Sequence, residues 1–487
     1  MSLMKFVIKI IGKIVFFALC SVCSAQVIEG HVLLSTQADV NSFAGVSITG
    51  DLIIHGNDIV ELEPLSTLIS VGENLRIEAN LTLQNLNGLN NLTSVGMDLV
   101  VDSNGGLTNL DGLNNLTSLA RRLHIRNNDA LTNLDGLSNL TSVGGELVLE
   151  YNVALANLDG LSNLSFVSHL SVAGQVSITH LDGLNNLTSL ARGLYIGNND
   201  ALTNLDGLSN LTSVGDGLVI HRNNSLQNLY GLSSITYVGG HLGIKRNSLL
   251  TNLDGLASIT SVGGSLSISM NDSLTNLCGL SNITSVGDYL AVRGNSLLTN
   301  IDDLSNLTSV GSDLFIDSNV LLTNLYGLSN IMYVGGSLEV KSNAVLNIFC
   351  ELYPLLSSNG LQGSYTVADN LTNPTQQQII DDGPCVTSIE NELLPEDYHL
   401  LQNFPNPFNP TTTIMYCLPE AGTVSLTIYN IRGQEVTTAQ EASKPPGTYE
   451  VQWNGMDRIG RQVSTGVYFA RLQAGEYNQT IKMLYLR

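Results

Sequence analysis

The chain has 487 residues, 42 acidic and 20 basic, with a formal charge of −22 although only 13% of its residues are charged. That balance argues against nucleic acid as a partner, which needs clustered basic side chains, and sets the surface apart from anionic membranes. The length implies more than one domain.

Residues 1–25 have the make-up of a secretory signal peptide. Lys5, Lys9 and Lys13 give a positive start, Ile14 to Cys20 is apolar, and Cys23-Ser24-Ala25 offers small residues for cleavage before Gln26. A lipoprotein signal fits poorly, because Leu19 precedes Cys20 and Val22 precedes Cys23. No other apolar run is long enough for a transmembrane span, which needs about 18 residues. Residues 26–51 read as an N-terminal cap, with a capping box from Thr36 to Asp39 that predicts a short helix through Phe43.

Residues 52–343 are a repeat. One copy reads Leu131-Thr-Asn-Leu-Asp-Gly-Leu-Ser-Asn-Leu-Thr-Ser-Val-Gly-Gly-Glu-Leu-Val-Leu-Glu-Tyr-Asn152. Its turn glycine returns every 24 residues from Gly88 to Gly327, except for a step of 23 between Gly160 and Gly183 and for Asp303, which replaces it once. A fixed period of this size means a solenoid, each coil burying its apolar face against its neighbours. The segment Leu-x-Ile/Val/Leu-x-x-Asn recurs from Leu52–Asn57 to Leu338–Asn343, with Gln175 once in place of the asparagine. Alternating apolar positions predict one strand per coil with one buried face. The closing amides predict a stacked ladder, since an amide both donates and accepts.

Gly144, Gly145, Leu147, Leu149, Asn152, Leu155, Leu158 and Leu161 resemble a leucine-rich repeat, and more closely the receptor L-domain type. Gly144 stands where the commoner leucine-rich pattern has a leucine, so a β-helix-like coil with few or no helices is expected. The fold expected is all-β: a right-handed parallel β-solenoid of about thirteen 24-residue rungs, then a small Ig-like β-sandwich.

Residues 344–386 read as the C-terminal cap, with Asn373-Pro374 starting a helix through Asp381. Cys350 and Cys385 flank the place where the repeat stops, and a disulfide between them is expected in an exported protein. Cys278 replaces a turn aspartate and Cys417 lies in another domain, so both are expected to stay unpaired. Residues 387–397 read as an acidic linker.

Residues 398–487 carry short alternating strands at Thr412–Leu418, Val424–Tyr429, Tyr449–Trp453, Val467–Leu472 and Tyr477–Leu486, with a shorter one near Gln434–Val436. Pro405-Asn-Pro-Phe-Asn-Pro410, Tyr429-Asn-Ile-Arg-Gly433, Trp453-Asn-Gly455 and Ser464-Thr-Gly-Val-Tyr-Phe469 resemble the C-terminal sorting domain of the type IX secretion system. The resemblance implies outer-membrane secretion machinery as a partner, removal of the domain at the cell surface, and a secreted or surface-anchored product.

No catalytic constellation, nucleotide loop or metal-ligand spacing is present in the sequence, so no enzyme activity and no cofactor are expected. Asp111, Asp135, Asp159, Asp182 and Asp206 would stack in a column. They read either as carboxylates that could hold Ca²⁺ or act on uronic acids, or as turn residues accepting an N–H two positions on. The turn reading is preferred, because Tyr230, Cys278 and Tyr326 interrupt the column. The Asn-Leu-Thr triplets at Asn91, Asn115, Asn139, Asn186 and Asn210 match glycosylation sequons but recur with the coil, and also read as turns.

Between residue 26 and the linker only ten side chains are basic, and they concentrate at or beside variable strand positions. Arg126, Tyr151, Tyr195, His221, Arg222, Lys245, Arg246, Arg293 and Phe315 therefore define a candidate binding face. Its partner would be an extracellular protein or polysaccharide, with Arg pairing to carboxylate or sulfate and rings stacking on sugar. The function expected is non-enzymatic surface recognition or adhesion. A carbohydrate-active β-helix enzyme and a structural surface-layer protein are the alternatives.

Overall fold

The computed structural model describes residues 26–385 and 397–486. The signal segment 1–25 and nearly all of the acidic linker lie outside the described residues. Each coil of the repeat contributes one strand to a long parallel sheet, from Leu52–Ile54 to Leu338–Lys341. Equivalent residues lie opposite one another, as in Leu194↔Leu218 and Ile196↔Ile220. The first and third strand residues point inward, so Leu218 and Ile220 are fully buried while Val219 is half-buried.

Two further sides complete the coil. A second parallel column of two-residue strands, including Ser70–Val71, Ser94–Val95 and Ser213–Val214, runs along the stack. The sequence reading missed it, because one inward residue per strand carries no alternation to detect. The third side is a 3₁₀ turn, such as Asp135–Leu137, closed by Leu137 N–H donating to the Leu134 carbonyl at 2.8 Å. Stacked turns approach so closely that a Cβ on Gly136 would lie 2.0 Å from the Leu110 carbonyl oxygen. That contact explains the glycine in nearly every coil.

The turn side chain that accepts is Asn133, two residues before Asp135, from the Asp135 N–H at 3.1 Å. The same bond recurs at Asp159 and Asp206. The aspartates are thus not the accepting groups, contrary to the sequence reading. The sequon asparagines each donate to a backbone carbonyl of the coil before, as Asn115 does to Asn90 at 2.6 Å.

The amide ladder is buried and continuous. Asn104 accepts from the Asn80 N–H at 3.0 Å and donates to the Ile77 carbonyl at 2.8 Å, and the pattern repeats along the stack. Its ends differ from expectation. The first coil is a residue tighter, so Gly56 occupies the ladder slot and Asn57 is exposed. At the far end Asn370 and Asn373 extend the ladder. Asn373 is therefore not the helix cap; Thr375 caps Gln376–Asp382, with Gln378 completing a capping box.

Both caps also add strands. Val32–Leu34 pairs with the first rung and Tyr365–Ala368 with the last. The helix Gln37–Asn41, capped by Thr36, covers the first coil. Cys350 and Cys385 are joined by a disulfide at the other end.

The C-terminal domain is an antiparallel sandwich. One sheet holds His399–Leu400, Thr412–Leu418 and Gly447–Trp453; the other holds Glu435–Lys444, Gly422–Asn430, Gly466–Ala474 and Tyr477–Tyr485. Phe408, Trp453, Tyr468 and Tyr485 pack between them with ring centroids 5.0–5.4 Å apart. The strand Glu435–Lys444 is far longer than expected from Gln434–Val436. It is a sheet edge with polar residues on both faces, so its length left no hydrophobic signature.

Candidate functional site

The long-strand face carries the candidate residues, but in two unlike groups. In the earlier coils the cations are neutralised. Arg126 pairs with Asp102 at 3.1 Å, Arg192 and Arg122 reach Glu146 at 3.0 and 3.5 Å, and Arg121 lies 3.9 Å from Asp98. Arg76 and Lys341, near the two ends, pair with Glu78 and Glu339. Among the described residues, the four remaining cations of the repeat have no carboxylate within ion-pair distance: Arg222, Lys245, Arg246 and Arg293.

These four belong to neighbouring coils. Lys245, Arg246 and Arg293 line a shallow depression of about 460 Å³ with His221, Tyr289 and Phe315, floored by Ser267, Ser269 and Ala291. Small residues at three outward strand positions make the floor, because larger ones would fill it. Arg293 stacks on Phe315, its guanidinium carbon 4.0 Å from the ring centroid, and Tyr289 meets Phe315 edge-on at 6.3 Å. Arg293 Nε has no hydrogen-bond partner.

The local field is positive. Burial and then Arg222, Arg246 and Lys245 hold the His221 imidazole below its usual pKa. Burial and then Arg293 do the same to the Lys245 ammonium. An anion seated there would relieve both effects, since an opposite charge favours the protonated forms.

Arg222, Arg246 and Tyr151 are not strand residues, contrary to expectation. They sit one position past the strand, at a left-handed corner with φ of 53°, 56° and 55°. The ladder amide that follows fixes this corner. Tyr195 and Tyr151 form a separate pair close to Glu150 and Arg222, and burial is the main cause of the raised Tyr195 pKa. The structure thus unites His221, Lys245, Arg246, Arg293 and Phe315, and adds Tyr289 and the two floor serines. It leaves Arg126 and Tyr151 outside.

The sandwich rests on the turn side of the central coils. Gln479 donates to the Tyr230 hydroxyl at 2.7 Å, Asn276 meets His399 at 2.7 Å, and the Ser234 hydroxyl lies 2.6 Å from the Asn406 carbonyl. Asp254 is wholly enclosed, with its Oδ2 3.4 Å from the Tyr230 hydroxyl. Cys278 and Cys417 are free thiols, as expected, but they face each other across this seam and both are buried. A family model described as FlgD Ig-like domain matches residues 409–478. No curated protein matches the chain.

The Ig-like domain explains two of the interruptions in the turn column, Tyr230 and Cys278. Tyr230 and Cys278 lie under it, and so do Ser234 and Ser258, which replace the larger sequon asparagine of earlier coils. The column Asp111–Asp206 brings no three ligand atoms within 4.8 Å of one another among the described residues.

Proposed function

We propose that the protein is an exported, non-enzymatic surface recognition protein that binds an anionic extracellular partner on the central long-strand face. The observation that carries this is Lys245, Arg246 and Arg293 around one depression, with Arg222 acting on His221 beside it, all four free of carboxylate partners on a chain of net charge −22. A repeat that leaves its four carboxylate-free cations on one stretch of the strand face, beside half-buried aromatic rings, has a site suited to carboxylate or sulfate groups on a sugar or protein. The depression is lined by cations, serines and rings and offers no pair of carboxylates of the kind glycoside hydrolysis uses.

The test is a glycan and surface-protein array probed with the purified chain. Retention on sulfated or uronate-containing glycans, weakened by salt, is expected. Retention only on neutral glycans, or turnover of any polysaccharide, would refute the reading.

Export rests on residues 1–25 and on the resemblance of residues 398–487 to a type IX sorting domain, which agrees with an Ig-like sandwich. Mass spectrometry of surface material should find a mature start at Gln26. Recovery of intact Met1–Arg487 only from the cytoplasm would contradict it.

A further inference from the structure

Cys278 Sγ and Cys417 Sγ lie 3.0 Å apart, one on the solenoid turn and one on the strand Thr412–Leu418. They are 3% and 1% exposed. The repeat departs from its own pattern to make this contact: Cys278 takes an aspartate slot, and Asp303 replaces the turn glycine one coil later. Asp303 accepts from the Leu277 N–H at 3.1 Å and so fixes the backbone beside Cys278.

We propose that Cys278 and Cys417 form a disulfide that fastens the Ig-like domain to the flank of the solenoid. Each Sγ–H bond breaks and one Sγ–Sγ bond forms. The two protons and two electrons pass to a disulfide oxidant, which leaves as two thiols. A zinc ion is the competing use of Cys278, Asp303 and Cys417, whose ligand atoms lie within 4.8 Å of one another. Two thiolates about 2.3 Å from a tetrahedral zinc stand about 3.7 Å apart. The observed separation is shorter than that, on the side of the covalent bond.

The neighbouring Cys417 thiol and burial push the Cys278 thiol well above its usual pKa. Exchange needs a thiolate, so the bond forms while the domain is settling rather than after the seam has closed. Once formed, it would keep both domains joined if the chain were cut between Cys385 and Tyr398, so removal of a sorting segment would also need a reductant.

The test oxidises the full chain with oxidised glutathione until Cys350–Cys385 is closed, which serves as the internal control. Digestion without reductant should then yield one peptide pair joining Cys278 to Cys417. The pair should be lost in Cys417→Ser while Cys350–Cys385 remains. Alkylation of both Cys278 and Cys417 in the oxidised chain would overturn the proposal. So would a glutathione adduct on each, or one zinc per chain with both thiols free after chelation.

Discussion

The earlier coils and the central coils, Leu218 to Asn306, share one interior and differ on two outward sides, the long-strand face and the turn side. Both stack the same buried leucines and the same amide ladder. In the earlier coils cations meet carboxylates on the same strand face, from the same coil to two coils away, and the turn aspartates face solvent. In the central coils the cations are unpaired on one side, and the turns are reshaped into a seat for the Ig-like domain on the other. Function is therefore to be sought where the repeat breaks its own rule, not where it keeps it.

The sharpest way to break the comparison is through the interior, where the two regions should behave alike. Ile220→Asp places a carboxylate at a fully buried position. It should cost roughly 4 kcal/mol or more and split the stack. Val219→Ser, one residue away and half-buried, should stay within about 0.5 kcal/mol in the same denaturation experiment. Equal tolerance would mean that the strand faces are reversed.

The ladder gives the next largest effect. Asn247 accepts from the Asn223 N–H at 3.1 Å and donates to the Ile220 carbonyl at 3.1 Å. Asn104 does the same in an earlier coil. Alanine at either should lose about 1–3 kcal/mol from unpaired buried backbone groups. Loss at Asn247 alone, read by urea unfolding, would show that the earlier coils do not depend on the ladder.

The docking seam should respond to pH where the earlier coils do not. Burial, and then Asp303, pushes Asp254 up to about 8. A carboxyl whose pKa rises on docking favours the docked state fully below its free value of about 4, and loses that contribution as pH rises through about 8. His399, held below its usual pKa by burial, works oppositely below about 6.5. Asp303, Tyr230 and Tyr477 are raised and act in the direction of Asp254, the tyrosines only in strong alkali. Asp397 and Glu450 also line the seam. Docking should therefore weaken as pH rises from about 4 to about 8, less steeply below about 6.5, where His399 opposes it. Hydrogen exchange of Tyr230–Leu232 and Cys278–Leu280 in the Cys417→Ser variant would show it. Asp254→Asn should flatten the dependence.

Much of the interior was legible because a strict period of 24 residues announces both the strand and its ladder. What escaped lacked periodicity or depended on two coils at once. The Ser-Val strands are too short to alternate, and Gly56 takes the ladder slot through a one-residue contraction. The pairing of Arg126 with Asp102 was within reach, since residues 24 apart become neighbours when the repeat is read down its columns. The seat at Tyr230 and Cys278 was visible only as an interruption, because its other half comes from a domain more than 100 residues away.

The central claim is that the unpaired cations, and not the basic stripe as a whole, make the binding face. Two triple variants separate these directly: Arg222→Ser with Lys245→Ser and Arg246→Ser, against Arg121→Ser with Arg122→Ser and Arg192→Ser. Binding of a sulfated oligosaccharide by calorimetry should weaken at least tenfold, about 1.4 kcal/mol, in the central variant and change less than about twofold in the other. Equal losses in both variants, or none in the central one with folding intact, would contradict the account.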